Sequence, residues 1–483
     1  MKKYEHAFGK NDIRGIYGED ITEELFYNTG RGFVNWLKNQ SGKQPAQMWI
    51  TVARDARTHS PNLSKALIEG ITSTGANVVN LGLAPTPIGY YSEAAGVQDK
   101  QITAAAIITA SHNPKEYNGL KMTYAKRTLS EKQIAEVKEH TFSEMKNPSQ
   151  PSIPTGKIED YNIIPDYIND MKKRFGKIGQ GIKVVVDSAN ATGGVVGPEL
   201  YRELGCEVIE LFSEPDGTFP NHHPNPSDLK TLKVIQETVK ENKADLGIAY
   251  DGDSDRIGVI DSDGNALTGD KLLLIYALDL LDDYKSEEKP YIVSEVKCSQ
   301  VLYDTINNAG GHAVMCKTGH GYIKDKMKET NALLAGEMSG HTFFKDRYYG
   351  FDDAIYAGCR MIEIIAKHKK INPDFKISSM LEPFNQVCSS PEVRFPCPNE
   401  RKKETLEQFK KCVEKDKNMF GSDIKEIITL DGMRIVFDGG FALIRQSNTE
   451  PVFTLRFEAK TSEQCEKFKS CMINTLENIL KNE

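Results

Sequence analysis

The chain has no CxxC pair of cysteines, no apolar run of membrane-spanning length and no excess of positive charge. Its nine cysteines stand singly, at Cys206, Cys298, Cys316, Cys359, Cys388, Cys397, Cys412, Cys465 and Cys471. An odd, scattered set describes reduced thiols, neither a disulfide framework nor a zinc site. Lys2 and Lys3 are followed by no apolar stretch, so no secretory signal is expected. No segment reaches the roughly 20 apolar residues that a bilayer-spanning helix needs. The formal net charge of −7 excludes a nucleic-acid footprint as the organising feature. It leaves room for a local basic site that binds an anionic small molecule. The expected compartment is the cytoplasm, with no membrane or nucleic-acid partner and a monomer or weak homo-oligomer. What is present is ordinary for a soluble globular protein: 39% hydrophobic and 27% charged residues. At 483 residues the chain is too long for one core.

Read in order, the chain alternates strand and helix patterns, which implies mostly parallel sheets covered by helices. A polar segment, Asn11-Asp12-Ile13-Arg14-Gly15, precedes a helix over 22–39, a strand over 49–52, a helix over 61–74 and a strand over 77–81. Residues 103–108 read as a buried strand, and a charged helix is expected over 130–145. The Pro- and Ser-rich stretch 147–154 is the clearest linker. A second unit has strands at 182–187, 207–212, 245–250 and 257–261, with helices at 193–204 and 229–242. A third has strands at 291–296 and 313–316, helices at 299–309 and 322–330, and a helix at 354–368. From about residue 372 the pattern changes to alternating strands at 434–437, 441–445 and 452–458, with Asp438-Gly439-Gly440 as a hairpin turn and a closing helix over 462–480. The expected domains are 1–153, 154–262, 263–371 and 372–483. The first three are α/β and the last is a smaller α+β domain.

Four loops carry chemistry. Thr109-Ala110-Ser111-His112-Asn113-Pro114 follows the strand at 103–108 and presents a serine beside an imidazole. It fits a strand-end turn capped by Ser111, or an activated hydroxyl. Asp251-Gly252-Asp253-Ser254-Asp255-Arg256 places carboxylates at i, i+2 and i+4, where alternate side chains of an extended loop converge. Either it is a solvated acidic turn or it holds a hard cation, with Mg²⁺ the natural ion. An EF-hand is excluded, because Arg256 stands where glycine is needed and Ser262 where glutamate is needed. Glu337-Met338-Ser339-Gly340-His341 offers acceptors for sugar hydroxyls, or a helix-terminus turn. Arg445-Gln446-Ser447-Asn448-Thr449-Glu450-Pro451 offers a dense donor set for a phosphate, or a self-capped loop. In open α/β sheets ligands sit at strand C-termini, so such loops can meet in one cleft.

In this order the four motifs resemble the signature loops of the α-D-phosphohexomutase family. The resemblance runs from Asp12-Ile13-Arg14-Gly15 to Phe457-Glu458. Gly336-Glu337-Met338-Ser339-Gly340-His341, Phe343-Phe344-Lys345-Asp346-Arg347 and Phe351-Asp352-Asp353 most resemble its bacterial phosphomannomutase/phosphoglucomutase branch. Phosphoglucosamine mutases typically carry Gln where this chain has Met338. One departure is Asn11, where many members of the branch have Tyr.

The resemblance implies three related α/β domains and an α+β cap around a central cleft. It implies a phosphohexomutase that interconverts hexose 1- and 6-phosphates, mannose first and glucose second, through a phosphoserine and a hexose 1,6-bisphosphate that also serves as activator. Phosphoglucosamine mutase and metal-dependent sugar phosphatase are the alternatives. Ser111 would carry the phosphoryl group and, with Asp251, Asp253 and Asp255, hold one Mg²⁺. Arg256, Lys121 and Arg14 would flank the transferring group. His112, His341, Lys121 and Arg14 are the acid/base candidates, which the sequence does not rank. Glu337 and Ser339 would hold the sugar. Lys297, His320, Arg445, Ser447, Asn448 and Thr449 would hold the other phosphate, and the cap is expected to move.

Overall fold

The computed structural model describes residues 2–447 and 450–481. The chain forms two compact units, Met1–Thr268 with Ser339–Lys376, and Gly269–Met338 with Ile377–Glu483. Residues 263–371, read from sequence as one domain, contribute to both.

The first unit contains two sheets. One runs in the order Ile13–Ile16, Tyr117–Tyr124, Ala104–Ile108, Trp49–Arg54, Asn77–Leu83, Ile158–Asp160, with Arg127–Thr128 paired to Tyr117–Tyr124. Its centre is parallel, and Tyr117–Tyr124 runs antiparallel to both of its long neighbours. Ala104–Ile108 is buried at every position, as expected of a strand covered on both faces. Helices Glu23–Ser41 and Ser60–Thr72 approach so closely that a Cβ at Gly70 would stand 2.0 Å from the Tyr27 carbonyl oxygen. Thr22 caps the first of these helices by accepting from Leu25 N. Ile158–Asp160 returns to this sheet from beyond the proline-rich stretch. The second sheet runs Ala266–Leu267, Ile257–Asp261, Leu246–Tyr250, Lys183–Asp187, Glu207–Leu211.

The second unit has parallel strands Tyr291–Glu295, His312–Cys316 and Leu334–Gly336. It also has an antiparallel sheet built on Met433–Phe437, Gly440–Gln446 and Val452–Ala459. Helices Lys402–Lys415 and Ser462–Lys481 pack together there, and Phe409, Phe437, Phe457 and Phe468 form the core. Each fully buried side chain of this size contributes about 1.5–3 kcal/mol. All nine cysteines are free thiols. Among the described residues no helix is long and apolar enough to cross a membrane.

Most expected elements are present, with ends displaced by a few residues. The helix expected over 193–204 is a 3-10 turn, Thr192–Val195, followed by helix Gly197–Glu203. The segment read as polar at Ile13–Ile16 is an edge strand, which fixes Arg14 on a sheet. Three unforeseen helices are Thr86–Ala95, Gly269–Asp283 and Lys402–Lys415. The first carries an early proline and an internal glycine. The second is buried from Leu272 to Ala277 and so shows no 3.6-residue alternation. The third did carry a signal, with Leu406, Phe409 and Val413 on one face.

Helix Ala354–Lys369 starts at Asp353, whose Oδ1 accepts from Ile355 N (3.0 Å) and Tyr356 N (2.9 Å). Its Oδ2 accepts from Tyr167 OH (2.9 Å) and Tyr348 OH (2.7 Å). Burial nevertheless pushes this carboxyl up to about 6, from an ordinary 3.8. A carboxyl raised on folding binds its proton more tightly in the native state. Its contribution is therefore complete below the unfolded value and is lost as pH rises through about 6. Relative to Asp353→Asn, which keeps the cap, wild-type unfolding free energy should fall by roughly 3 kcal/mol between about pH 3 and pH 7. Urea titrations across that range measure it, and parallel profiles for the two proteins would contradict it.

Candidate active site

Strand Ala104–Ile108 delivers the serine loop, and the loop leaves regular geometry at once. Ser111 has φ 49°, a left-handed conformation rare for a residue with a Cβ. Its N–H donates to Thr109 Oγ1 (2.8 Å), and its hydroxyl donates to Asp251 Oδ2 (2.8 Å). The side chain is buried, as are Asp251, Asp253 and Asp255. The carboxylate loop joins antiparallel strands Leu246–Tyr250 and Ile257–Asp261. Gly252 is required by close approach: a Cβ there would lie 2.4 Å from the Ser111 carbonyl oxygen. The two loops therefore touch backbone to backbone.

One carboxylate oxygen from each of Asp251, Asp253 and Asp255 lies within 4.8 Å of the others. Lys121, on strand Tyr117–Tyr124, donates to Asp253 Oδ2 (2.7 Å) and Asp255 Oδ2 (2.5 Å). Thr86 Oγ1 also donates to Asp253 Oδ2 (2.6 Å). Asp253 Oδ1 and Asp255 Oδ1 are buried and accept no hydrogen bond. Buried oxygens of this kind are normally satisfied, so three hard carboxylates with two open acceptors suit a divalent cation such as Mg²⁺.

Arg256 bridges the serine to both histidines. Its Nη2 donates to His112 Nδ1 (2.7 Å) and lies 3.4 Å from Ser111 Oγ, and its Nε donates to His341 Nε2 (3.2 Å). Ser111 Oγ is 3.2 Å from His112 Nδ1. His341 Nδ1 faces Asp352 Oδ2 at 3.2 Å and Asp255 Oδ1 at 3.7 Å. Arg14 Nη1 donates to Asn113 Oδ1 (2.9 Å), and its other terminal nitrogen pairs with Asp12.

The electrostatics separate these groups. Burial, then the Arg256 and Arg14 guanidinia, push the His112 imidazole far below its ordinary value, so it is neutral. Burial opposes charge on His341, but Asp255 and Asp352 outweigh it and raise that imidazole. Burial, with the Asp255 and Asp253 carboxylates, pushes Asp251 up. Burial works against charge on Asp255 too, but Lys121 and His341 outweigh it and hold that carboxyl below the usual range.

The first unit thus brings together Ser111, His112, Arg14, Lys121, Arg256, His341 and the three aspartates. Ser339 also lies in this unit, where its carbonyl accepts from Ser227 Oγ (3.0 Å). Lys297, His320, Glu337, Arg445 and Ser447 lie in the second. There Glu337 Oε1 accepts from Gly319 N (2.8 Å), next to His320 at the start of helix His320–Thr330. Arg445 Nε donates to Asp431 Oδ2 (3.0 Å), which also accepts from Thr318 N (3.1 Å). Lys297 Nζ lies 3.6 Å from Glu295 Oε1 and 3.5 Å from Glu392 Oε2. The Ser447 hydroxyl accepts from Glu450 N (3.2 Å). Asn448 and Thr449 lie outside the described residues.

Sequence reasoning missed Thr86, Asp352 and Asp431 as parts of these clusters, and Arg57, whose Nη2 donates to the Ser111 carbonyl oxygen (2.9 Å). Asp352 stood inside a quoted motif, and Arg57 in a charged segment directly after a strand. Thr86 and Asp431 gave no local signal.

The chain matches four consecutive family models. They are the alpha/beta/alpha domains I, II and III of phosphoglucomutase/phosphomannomutase, over residues 5–148, 165–264 and 268–382, and the C-terminal domain, over 392–474. It therefore belongs to the phosphoglucomutase/phosphomannomutase family. It is 38% identical over 472 residues to the phosphomannomutase/phosphoglucomutase of Pseudomonas aeruginosa, covering 98% of this chain and 96% of that protein. It is 36% identical over 467 residues to a phosphoglucomutase of Neisseria meningitidis, covering 96% and 95%. A crystal structure of a phosphoglucomutase/phosphomannomutase family protein from Burkholderia thailandensis superposes with a TM-score of 0.86 at 33% identity, covering 98% of this chain and 97% of that one.

Removing Lys121 leaves Asp253 and Asp255 facing Asp251 without its ammonium. Lys121→Met should lose about 3–5 kcal/mol in chelator-treated protein and regain much of it with Mg²⁺, because a cation that binds only the folded state stabilises it. Thermal melts with and without Mg²⁺ check this, and a loss indifferent to Mg²⁺ would contradict it.

Proposed function

We propose that this chain is a Mg²⁺-dependent phosphohexomutase that interconverts hexose 1-phosphates and hexose 6-phosphates, mannose first and glucose second, in the cytoplasm as a monomer or weak homo-oligomer. The observation that carries this reading is the hydroxyl of Ser111, 2.8 Å from Asp251 in a buried cluster of three aspartates with Arg256 and His112 around it. Family membership and the names of the full-length relatives support the same reaction.

In this reading Ser111 carries a phosphoryl group in the resting enzyme. A sugar hydroxyl attacks the phosphorus. The new P–O bond forms to the sugar, the bond to Ser111 Oγ breaks, and the sugar leaves its proton with a base. The product is a hexose 1,6-bisphosphate. It turns over and returns its other phosphoryl to Ser111, and the proton goes back to the sugar oxygen. Such transfer needs alignment and charge neutralisation more than covalent assistance. Asp251, Asp253, Asp255 and a phosphoserine oxygen would hold Mg²⁺, which when bound neutralises phosphoryl charge. Arg256 spans serine and both histidines, so its guanidinium would neutralise charge on a phosphoryl group carried by that serine. Lys121 holds two of the carboxylates in place, and Arg14 fixes Asn113 of the serine loop.

Of the four acid/base candidates, His341 alone has an aspartate arranged behind a ring nitrogen, with Asp352 Oδ2 3.2 Å from Nδ1. That second partner sets the tautomer and orientation a proton-transfer imidazole requires. His112 is held neutral as a neighbour of Ser111. Glu337 and Ser339 take the sugar hydroxyls. Lys297, His320, Arg445 and Ser447, with Asn448 and Thr449, take the non-reacting phosphate, and a hexose 1,6-bisphosphate starts the cycle on unphosphorylated enzyme.

Rates on mannose, glucose and glucosamine 1-phosphates, with Mg²⁺ and a trace of hexose 1,6-bisphosphate, should rank mannose first and glucose second. A preference for glucosamine 1-phosphate, or release of free phosphate in place of the 6-phosphate, would refute the assignment. Ser111→Ala should lose more than about 10³-fold in kcat, since the group that carries the phosphoryl is gone.

A further inference from the structure

Beneath the serine loop lies a guanidinium that none of the proposed chemistry uses. Arg57 is completely buried, two residues beyond Asp55 in the segment after strand Trp49–Arg54. Its five N–H donors are all engaged. Nη2 donates to the carbonyl oxygens of Ser111 (2.9 Å) and Asn113 (2.7 Å). Nη1 donates to those of Pro114 (2.6 Å) and Tyr117 (3.1 Å). Nε donates to Asp55 Oδ2 (3.1 Å), and Asp55 Oδ1 accepts from Arg57 N (3.0 Å) and Ser60 Oγ (2.5 Å), which fixes the plane of the fork. The ring of Phe219 lies 5.3 Å from the guanidinium carbon.

The loop needs such a hold. Two backbone hydrogen bonds of its own are Asn113 N to Ala110 O and Tyr117 N to Pro114 O. Ser111 sits at φ 49°, a strained conformation that persists only where its surroundings impose it. Its carbonyl is the point of restraint, with Arg57 Nη2 at 2.9 Å and Gly252 packed so close that no Cβ would fit.

We infer that Arg57 is the positioning residue of the serine loop, its planar fork gathering three loop carbonyls and that of Tyr117, where the next strand starts, so that Ser111 Oγ is aimed at Asp251 and Arg256. The inference rests on the mutase reading of Ser111. It also requires arginine in particular. A lysine ammonium is a point donor on a flexible stem and cannot span four acceptors that face one plane.

Arg57→Met and Arg57→Lys test it in the full-length enzyme with Mg²⁺, primed with glucose 1,6-bisphosphate. Wild type must first turn over mannose 1-phosphate or glucose 1-phosphate, and the better of the two is the assay substrate; if it turns over neither, the mutase reading itself fails, whatever Arg57 does. Given that turnover, Arg57→Met should lose about 10²-fold in kcat, the usual cost of a misplacement near 1 Å. KM should stay within about threefold, because the loop does not hold the non-reacting phosphate. Arg57→Lys, which keeps the charge, should still lose at least about tenfold in kcat. Circular dichroism melts establish that each variant is folded. A folded variant of either kind with wild-type kcat, or with KM rising as far as kcat falls, overturns the inference. If Arg57→Met does not fold, Arg57→Lys decides by the same criteria. Loss of folding in both would make Arg57 a structural residue and overturn it as well.

Discussion

Three aspartate carboxylates buried at one point are the constraint from which the rest of the first unit follows. Left alone, such a cluster would repel itself and take up protons. Here it is balanced by Lys121 on two of its members and by the Arg256 guanidinium, 3.6 Å from Asp251 and 4.0 Å from Asp255. Two of its oxygens remain open for a divalent cation. Because the charges are balanced by residues from distant parts of the chain, the two sheets of this unit are tied at the site. Lys121 comes from the first sheet and the aspartates from the second. Ser111 is held against Asp251 by the same arrangement, and Gly252 allows the loops to meet.

The surrounding groups are sorted by their neighbours more than by their type. His112 and His341 are both buried or nearly so and both touch Arg256, yet their protonation is driven in opposite directions. Cations surround the first, and carboxylates back the second. The charged form is thereby disfavoured on one imidazole and favoured on the other.

The chemistry-bearing loops were legible in the sequence because they interrupt strand patterns with dense sets of Ser, His, Asp and Arg. Strand Lys183–Asp187 was legible because its β-branched run is continuous, and Ala104–Ile108 because it is an unbroken run of small and apolar residues. Helix Gly269–Asp283 was not, since burial from Leu272 to Ala277 erases the periodicity on which a reader relies. The partners of the site were hidden for a different reason. Asp352 lies 11 residues after His341 in the chain, and Arg57 is 54 residues before the carbonyl of Ser111 that it holds. Neither pairing leaves a local pattern: the parallel pairing of Trp49–Arg54 with Ala104–Ile108 brings Arg57 to the serine loop, and an isolated bridge between Phe343 and Asp352 brings Asp352 to His341. Asp431 and Arg445 are likewise joined by an antiparallel strand pair in the second unit.

The most direct measurement is phosphopeptide mapping of the enzyme after incubation with a hexose 1,6-bisphosphate and Mg²⁺, followed by a chase with hexose 6-phosphate. A buried serine hydrogen-bonded to the aspartate cluster should carry a single phosphoryl group at Ser111, and the chase should move it to the sugar as hexose 1,6-bisphosphate. A phosphoryl group on another residue, or one on Ser111 that the sugar cannot remove, would contradict the mechanism.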